Sequence, residues 1–152
     1  MKYIEAFSVE YPSVYYGSKE PSVFLAGGIT NCRDWQSEVV EKLKNTDLVL
    51  INPRRKNWDV GATDAQIWEY DHLKLADMIL FWFPCETLCP ITLFEYGKWL
   101  GRKKPLFVGC DPECKRIQDV VVQTKLERPK LQVFTNIDDA LNSLREKVRD
   151  GN

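Results

Sequence analysis

The chain carries no excess of basic residues: 21 lysines and arginines stand against 22 aspartates and glutamates, a net charge of −1. That balance gives no sign of a nucleic-acid polymer as partner, and no polybasic run marks a membrane surface. No apolar stretch approaches the ~20 residues of a membrane span. The opening MKYIEAFSVEYPSVYY has charges and a proline where a signal peptide needs an apolar core, so a cytoplasmic protein is expected. The five cysteines are an odd number, and none falls in a C-x2-C. Cys85/Cys89 and Cys110/Cys114 are both C-x3-C, off the spacing of zinc ribbons, and read as free thiols acting as small apolar residues at loop edges. No internal repeat or low-complexity tract is evident.

What is present is an ordinary globular composition, 44% hydrophobic and 28% charged over 152 residues, enough for one domain with a real core. Apolar runs alternate with helical periodicity. Strands are expected at 22–28 (SVFLAGG), 47–53 (DLVLINP), 77–83 (DMILFWF), 104–109 (KPLFVG) and 131–136 (LQVFTN). Helices are expected at 33–45, 63–76 (with Thr63 or Asp64 as cap), 90–101 and from 137 onward. Strands apolar on both faces, separated by helices, predict an α/β doubly wound parallel sheet of five strands with helices on both faces. Such sheets bind ligands at the carboxyl ends of their strands. Residues 1–20 fall outside the alternation and are expected to be an N-terminal extension or added strand; residues 21–152 form the domain.

Two glutamates stand out. On a helical wheel over 63–76, Ala65, Trp68, Leu73, Leu75 and Ala76 share a face, and Glu69 falls in its middle, with His72 near it and Asp71 at its edge. In CPITLFEYGKW, Glu95 sits among Ile91, Leu93, Phe94, Tyr96 and Trp99, on a helix expected to have no wet face. An inward carboxylate is expensive unless paired or used. Glu95 with Lys98, and Glu69 with His72, at i,i+3, could be structural ion pairs. The glycine loop Gly27–Gly28–Ile29–Thr30 is either a tight strand-to-helix turn or a cradle in which backbone N–H groups meet an anion. Arg54 and Arg55 face substrate or solvent; Trp58 and Trp82 stack on a base or fill core.

Four segments in order, FLAGGITNCRDW, INPRRKNWD, WEYDHLKLADMILFWF and PITLFEYGKW, resemble the nucleoside 2-deoxyribosyltransferase-like family from Ser22 onward. The resemblance implies a flavodoxin-like fold and makes Glu95 the nucleophile and Glu69 the second acid, a position that is aspartate in most members. It gives Asp77 a structural role. It puts Gly27, Gly28, Ile29, Thr30, Asn52, Arg54, Trp58 and Asp71 against the substrate and lets Arg33 reach a 5′-phosphate. Cys89 stands near where some members have an additional acid. The implied reaction is cleavage of the N-glycosidic bond of a 2′-deoxynucleoside or its monophosphate through a glycosyl-enzyme ester. The sugar then passes to another base; hydrolysis of the same bond and a non-catalytic nucleotide-binding module are the alternatives. No metal or cofactor is needed. A homo-oligomer is expected, because the third helix is so apolar and because family members tend to complete the pocket with a neighbouring chain.

Overall fold

The computed structural model describes residues 1–8, 19–56 and 60–150. Six strands form one parallel sheet: β1 (Lys2–Glu5), β2 (Ser22–Gly27), β3 (Val49–Asn52), β4 (Met78–Phe83), β5 (Leu106–Cys110) and β6 (Val133–Phe134). Five helices accompany them: α1 (Trp35–Leu43), α2 (Ala62–Leu75), α3 (Pro90–Leu100), α4 (Ile117–Glu127) and α5 (Ile137–Asp150). The order across the sheet is β1-β3-β2-β4-β5-β6. Setting β1 aside, this is the flavodoxin-like order, with the chain turning back on itself beside β2.

The sheet therefore has six strands where five were expected. The additional one is β1, which pairs in parallel with β3 from Lys2↔Val49 to Glu5↔Asn52. It comes from residues 1–20, for which an extension or an added strand was expected, and it is the added strand; four residues with one exposed end carry too weak a pattern to place it. Helix α4 was not anticipated. Its Val120-Val121-Val122 run argues locally for a strand, but only Val120 and Thr124, four residues apart, are buried on its inner face. The cap of α2 also differs: Gly61 holds that position and no side chain closes the helix.

The strands justify a parallel arrangement. Every residue of β3, β4 and β5 is buried, as both faces of a covered sheet require. By chain contacts the molecule divides into two compact units. The first comprises Met1–Leu25 and Asp34–Ile79. Its core gathers Val23, Phe24, Trp35, Val39, Leu43, Leu50 and Ile51. The starts of β2 and β4 are stapled within it: the Ser22 amide and hydroxyl donate to one Asp77 carboxylate oxygen at 2.8 and 2.7 Å, and the Asp77 amide donates to the Ser22 hydroxyl at 2.8 Å.

The second unit comprises Ala26–Arg33 and Leu80–Asn152. Its core includes Phe81, Phe83, Tyr96, Trp99, Val108, Leu141 and Leu144. Tyr96 pins α3: its ring meets Phe81 and Phe83 edge-on at 5.0 and 5.5 Å, and its hydroxyl bonds the buried Thr124 hydroxyl of α4. Arg128 closes the other end of α3, donating to the carbonyls of Trp99, Leu100 and Lys104 at 3.2, 2.7 and 2.9 Å. Trp99 and Leu100 lie in the last turn of α3, where carbonyls run out of partners within the helix and look beyond it; Lys104 lies in the loop that follows.

Candidate functional site

In the second unit the candidates follow the carboxyl ends of β2 and β4, the two strands beside which the topology reverses. Gly27 ends β2, Gly28 is buried, Ile29 is half-buried and Thr30 is exposed. Gly28 is a glycine for steric reasons. A Cβ there would lie 2.8 Å from a Pro84 carbon and 2.9 Å from both the Thr87 methyl and the Cys89 sulfur, closer than packed atoms tolerate. The loop after β2 is thus pressed directly onto the loop that leads into α3. Arg33 is exposed and its guanidinium stands 4.0 Å from the Glu86 carboxylate, so it is an arginine near solvent with an acidic neighbour.

Cys89 caps α3 in the left-handed conformation, with φ 48° and ψ 53°, and Pro90 opens the first turn. Its carbonyl accepts from the Leu93 amide at 2.9 Å. Burial pushes the Cys89 thiol up to about 12, so it is no ready nucleophile or acid at neutral pH. One turn and a half further on, Glu95 is half-buried and follows the exposed Phe94. The expectation of a helix without a wet face is corrected here: α3 buries Thr92, Tyr96, Trp99 and Leu100 and exposes Ile91 and Phe94. Apolar residues on all sides do not bury all sides of a surface helix; only the face against the sheet and α4 is covered.

In the first unit, Glu69 sits on α2 and is half-buried. Burial raises its pKa above the ordinary glutamate range, and the nearby Arg55 guanidinium pulls only partly the other way. Beside it Trp68 stacks on His72, ring centres 3.8 Å apart, and approaches Phe7 and Phe24 at 6.2 and 6.3 Å. His72 Nδ1 lies 2.7 Å from the Trp68 carbonyl, which can only accept, so that nitrogen carries the proton. Burial lowers the His72 pKa, the carbonyl bond and Asp71 opposing it, and a neutral ring results. Asp71 is exposed.

Asn52 ends β3, buried, in a polar chain that the sequence did not reveal. Its amide donates to the Tyr3 hydroxyl at 2.9 Å, and that hydroxyl donates to the buried Glu5 carboxylate at 3.0 Å. The Asn52 carbonyl accepts from the Arg54 amide at 2.9 Å. Burial, with Glu5 and Asp34 adding to it, keeps the Tyr3 phenol protonated. The Arg54 side chain is engaged rather than open: its Nε lies 3.1 Å from Asp34 and 3.0 Å from the fully buried Gln36. Trp58 lies outside the described residues. Trp82 is core, its ring filling the space beside Gly109.

Glu95 and the glycine loop thus belong to the second unit, and Glu69, Asn52, Arg54 and Asp71 to the first. Tyr3, Glu5 and Gln36 were missed because single polar residues in short strands or at a helix start carry no periodic signal. All five cysteines are thiols. Among the described residues no group of three or more histidine, cysteine or acidic side chains could hold a metal ion, and no helix is long and apolar enough to cross a membrane. Compared with protein families, residues 20–114, well over half of the chain, match the model described as nucleoside 2-deoxyribosyltransferase like. Comparison with individual curated proteins returns no match.

Proposed function

The chain belongs to the nucleoside 2-deoxyribosyltransferase-like family, and from that premise we propose that it cleaves the N-glycosidic bond of 2′-deoxynucleosides or their 5′-monophosphates and transfers the sugar to another base. Family membership points to a glycosyltransferase or glycosidase-type enzyme with nucleosides and nucleobases as its small-molecule substrates. The observation that carries the finer reading is the upward shift of Glu69 through burial. A carboxyl that holds its proton to higher pH than an ordinary glutamate suits a donor to a departing base.

In this scheme the Glu95 carboxylate attacks C1′ while the C1′–N bond breaks, and the bonding pair leaves with the base nitrogen. Glu69 supplies the proton that makes the leaving base neutral. The product is a glycosyl ester on Glu95. A nitrogen of a second base then attacks C1′, its proton returns to Glu69, and Glu95 is released as carboxylate. The buried backbone at Gly28 and the apolar wall of Pro84 and Cys89 support a loop that keeps water from the ester. Gly27, Ile29, Thr30, Arg33, Asn52 and Asp71 are proposed as substrate contacts, with Arg33 toward a 5′-phosphate. Arg54 is proposed to act through Asn52 and Asp34, since its own head is engaged. A homo-oligomer in the cytoplasm belongs to the same reading.

The test is chromatography of the protein incubated with deoxynucleosides and their monophosphates, with and without a second free base. A new nucleoside formed only with the added base establishes transfer; free base without exchange establishes hydrolysis instead. Glu95→Gln should lower kcat at least 1,000-fold, an order-of-magnitude expectation for loss of a nucleophile, while substrate still binds. Retained turnover in that variant would remove Glu95 from the mechanism.

A further inference from the structure

β1 carries a polar pair, Tyr3 and Glu5, to which the reaction scheme gives no part. The two are at i and i+2, so they share one face of the strand. The parallel register sets Glu5 opposite Asn52. The Ala6 amide extends that ladder, donating to the Asn52 backbone carbonyl at 3.0 Å. Glu5 is 6% exposed and Asn52 only 2%. A buried carboxylate facing a buried amide is costly where two apolar side chains would pack as well. The pair stands at the carboxyl ends of its strands, where doubly wound sheets take ligands. β1 also lies ahead of residues 20–114, the part that matches the family, so membership assigns Tyr3 and Glu5 no role.

The hydrogen bonds run in one direction. Burial keeps the Tyr3 phenol protonated. The Glu5 carboxylate, with the Lys56 ammonium 3.9 Å away, accepts that O–H at 3.0 Å. The phenol oxygen is left to accept, and it accepts an Asn52 side-chain N–H at 2.9 Å. On its other side the Asn52 side-chain oxygen accepts the Arg54 amide at 2.9 Å. Turning the carboxamide over would set two acceptors together at Tyr3 and two donors together at Arg54. Its orientation is therefore fixed from both ends. An amide NH2 has a second hydrogen. Among the described residues that hydrogen of Asn52 meets no acceptor, although the side chain is almost wholly buried. A donor so held is a place for an acceptor that the described chain does not supply.

We propose that Tyr3 and Glu5 are positioning residues of the nucleoside site: they hold the Asn52 carboxamide so that its second N–H donates to a hydrogen-bond acceptor of the bound nucleoside. This rests on the reading of the chain as a nucleoside-cleaving enzyme with Asn52 against the substrate. Tyr3 and Glu5 touch no substrate themselves, and their effect passes through Asn52.

The experiment is a double-mutant cycle, read by calorimetric titration with the common 2′-deoxynucleosides and their 5′-monophosphates in a Glu95→Gln background. For the tightest of these ligands, Asn52→Ala should weaken binding roughly 10- to 100-fold and Tyr3→Phe about 10-fold, the scale of a lost or misdirected hydrogen bond in a closed site. With Asn52→Ala in place, Tyr3→Phe should cost nothing more, because the group it directs is gone. A tyrosine with a structural role alone would weaken binding equally in both backgrounds, or in neither. Glu5→Leu should match Tyr3→Phe, and Glu5→Gln, which keeps an acceptor for the phenol, should recover most of the loss. Should Asn52→Ala fail to fold, Asn52→Leu, of similar shape, replaces it in the cycle. Equal losses from Tyr3→Phe in both backgrounds, no loss in either, or unchanged binding in Asn52→Ala overturns the proposal and leaves the nucleoside reading standing. Binding of none of these ligands removes both.

Discussion

The two units hold their candidate groups by different physics. In the first, polar atoms are fixed by named hydrogen bonds: Glu5 to Tyr3, Tyr3 to Asn52, Asn52 to the Arg54 amide, Arg54 to Asp34 and Gln36, Ser22 to Asp77. In the second, the groups are fixed by contact: Gly28 against Pro84, Thr87 and Cys89, and Tyr96 between Phe81 and Phe83. Hydrogen bonds orient a group but yield gradually when one is removed, because water and neighbours compensate. Close packing tolerates almost no added volume. Substitutions should therefore fail in different ways in the two units, and four of them probe that difference.

The largest effect is expected at Glu69, where the first unit contributes chemistry as well as structure. Glu69→Gln should lower kcat by roughly 10²- to 10⁴-fold, the range for loss of a general acid. It should also abolish the alkaline limb of the pH–rate profile, since the unsubstituted enzyme loses rate as pH rises through the elevated Glu69 pKa. The same shift bears on stability, with a definite sign. Folded Glu69 binds its proton more tightly than unfolded Glu69, so stability is lost as pH rises from the ordinary glutamate range through the raised value. Glu69→Gln should flatten that part of a Tm-against-pH curve; an unchanged curve would mean that burial of the carboxyl is slight in solution.

Next comes Gly28→Ala, a single added methyl in the contact-held unit. Three atoms must move from 2.8–2.9 Å, and the expected loss is about 1–3 kcal/mol of folding stability, measured by denaturant unfolding. Asp77→Asn probes the polar staple. It weakens two bonds accepted from Ser22, with a loss of about 1–2 kcal/mol. Tyr3→Phe should have the smallest effect, about 1 kcal/mol, because Asn52 retains its bond to the Arg54 amide. If Tyr3→Phe proves costlier than Gly28→Ala, the contrast between the units is inverted.

The elements with strong repeating patterns were legible in the sequence. MILFWF could be little other than a buried strand, and its neighbours implied a parallel sheet covered by helices. β1 was legible only as one of two alternatives for residues 1–20 and α4 not at all, for opposite reasons. β1 is four residues long and takes its identity from pairing with β3, a long-range contact that no local pattern encodes. The α4 valines favour a strand locally, and tertiary packing of Val120 and Thr124 overrides them. At the candidate site, the inward lean of Glu69 was visible on a wheel, because its neighbours at helical spacing are apolar. The engagement of Arg54 was not, since Asp34 and Gln36 reach it from another segment.

One packing feature reaches beyond the site. On the adjacent strands β4 and β5, the Trp82 ring occupies the room left by Gly109, where even a Cβ would fall 2.5 Å from the indole. Side chains alternate faces along a strand, so a slip of one residue exchanges every inward group for its neighbour. Here a slip would bring Val108 or Cys110 to the tryptophan in place of the glycine. The pair works as a key and its slot: wrong alignments of β4 with β5 are refused by volume before any hydrogen bond between them is counted.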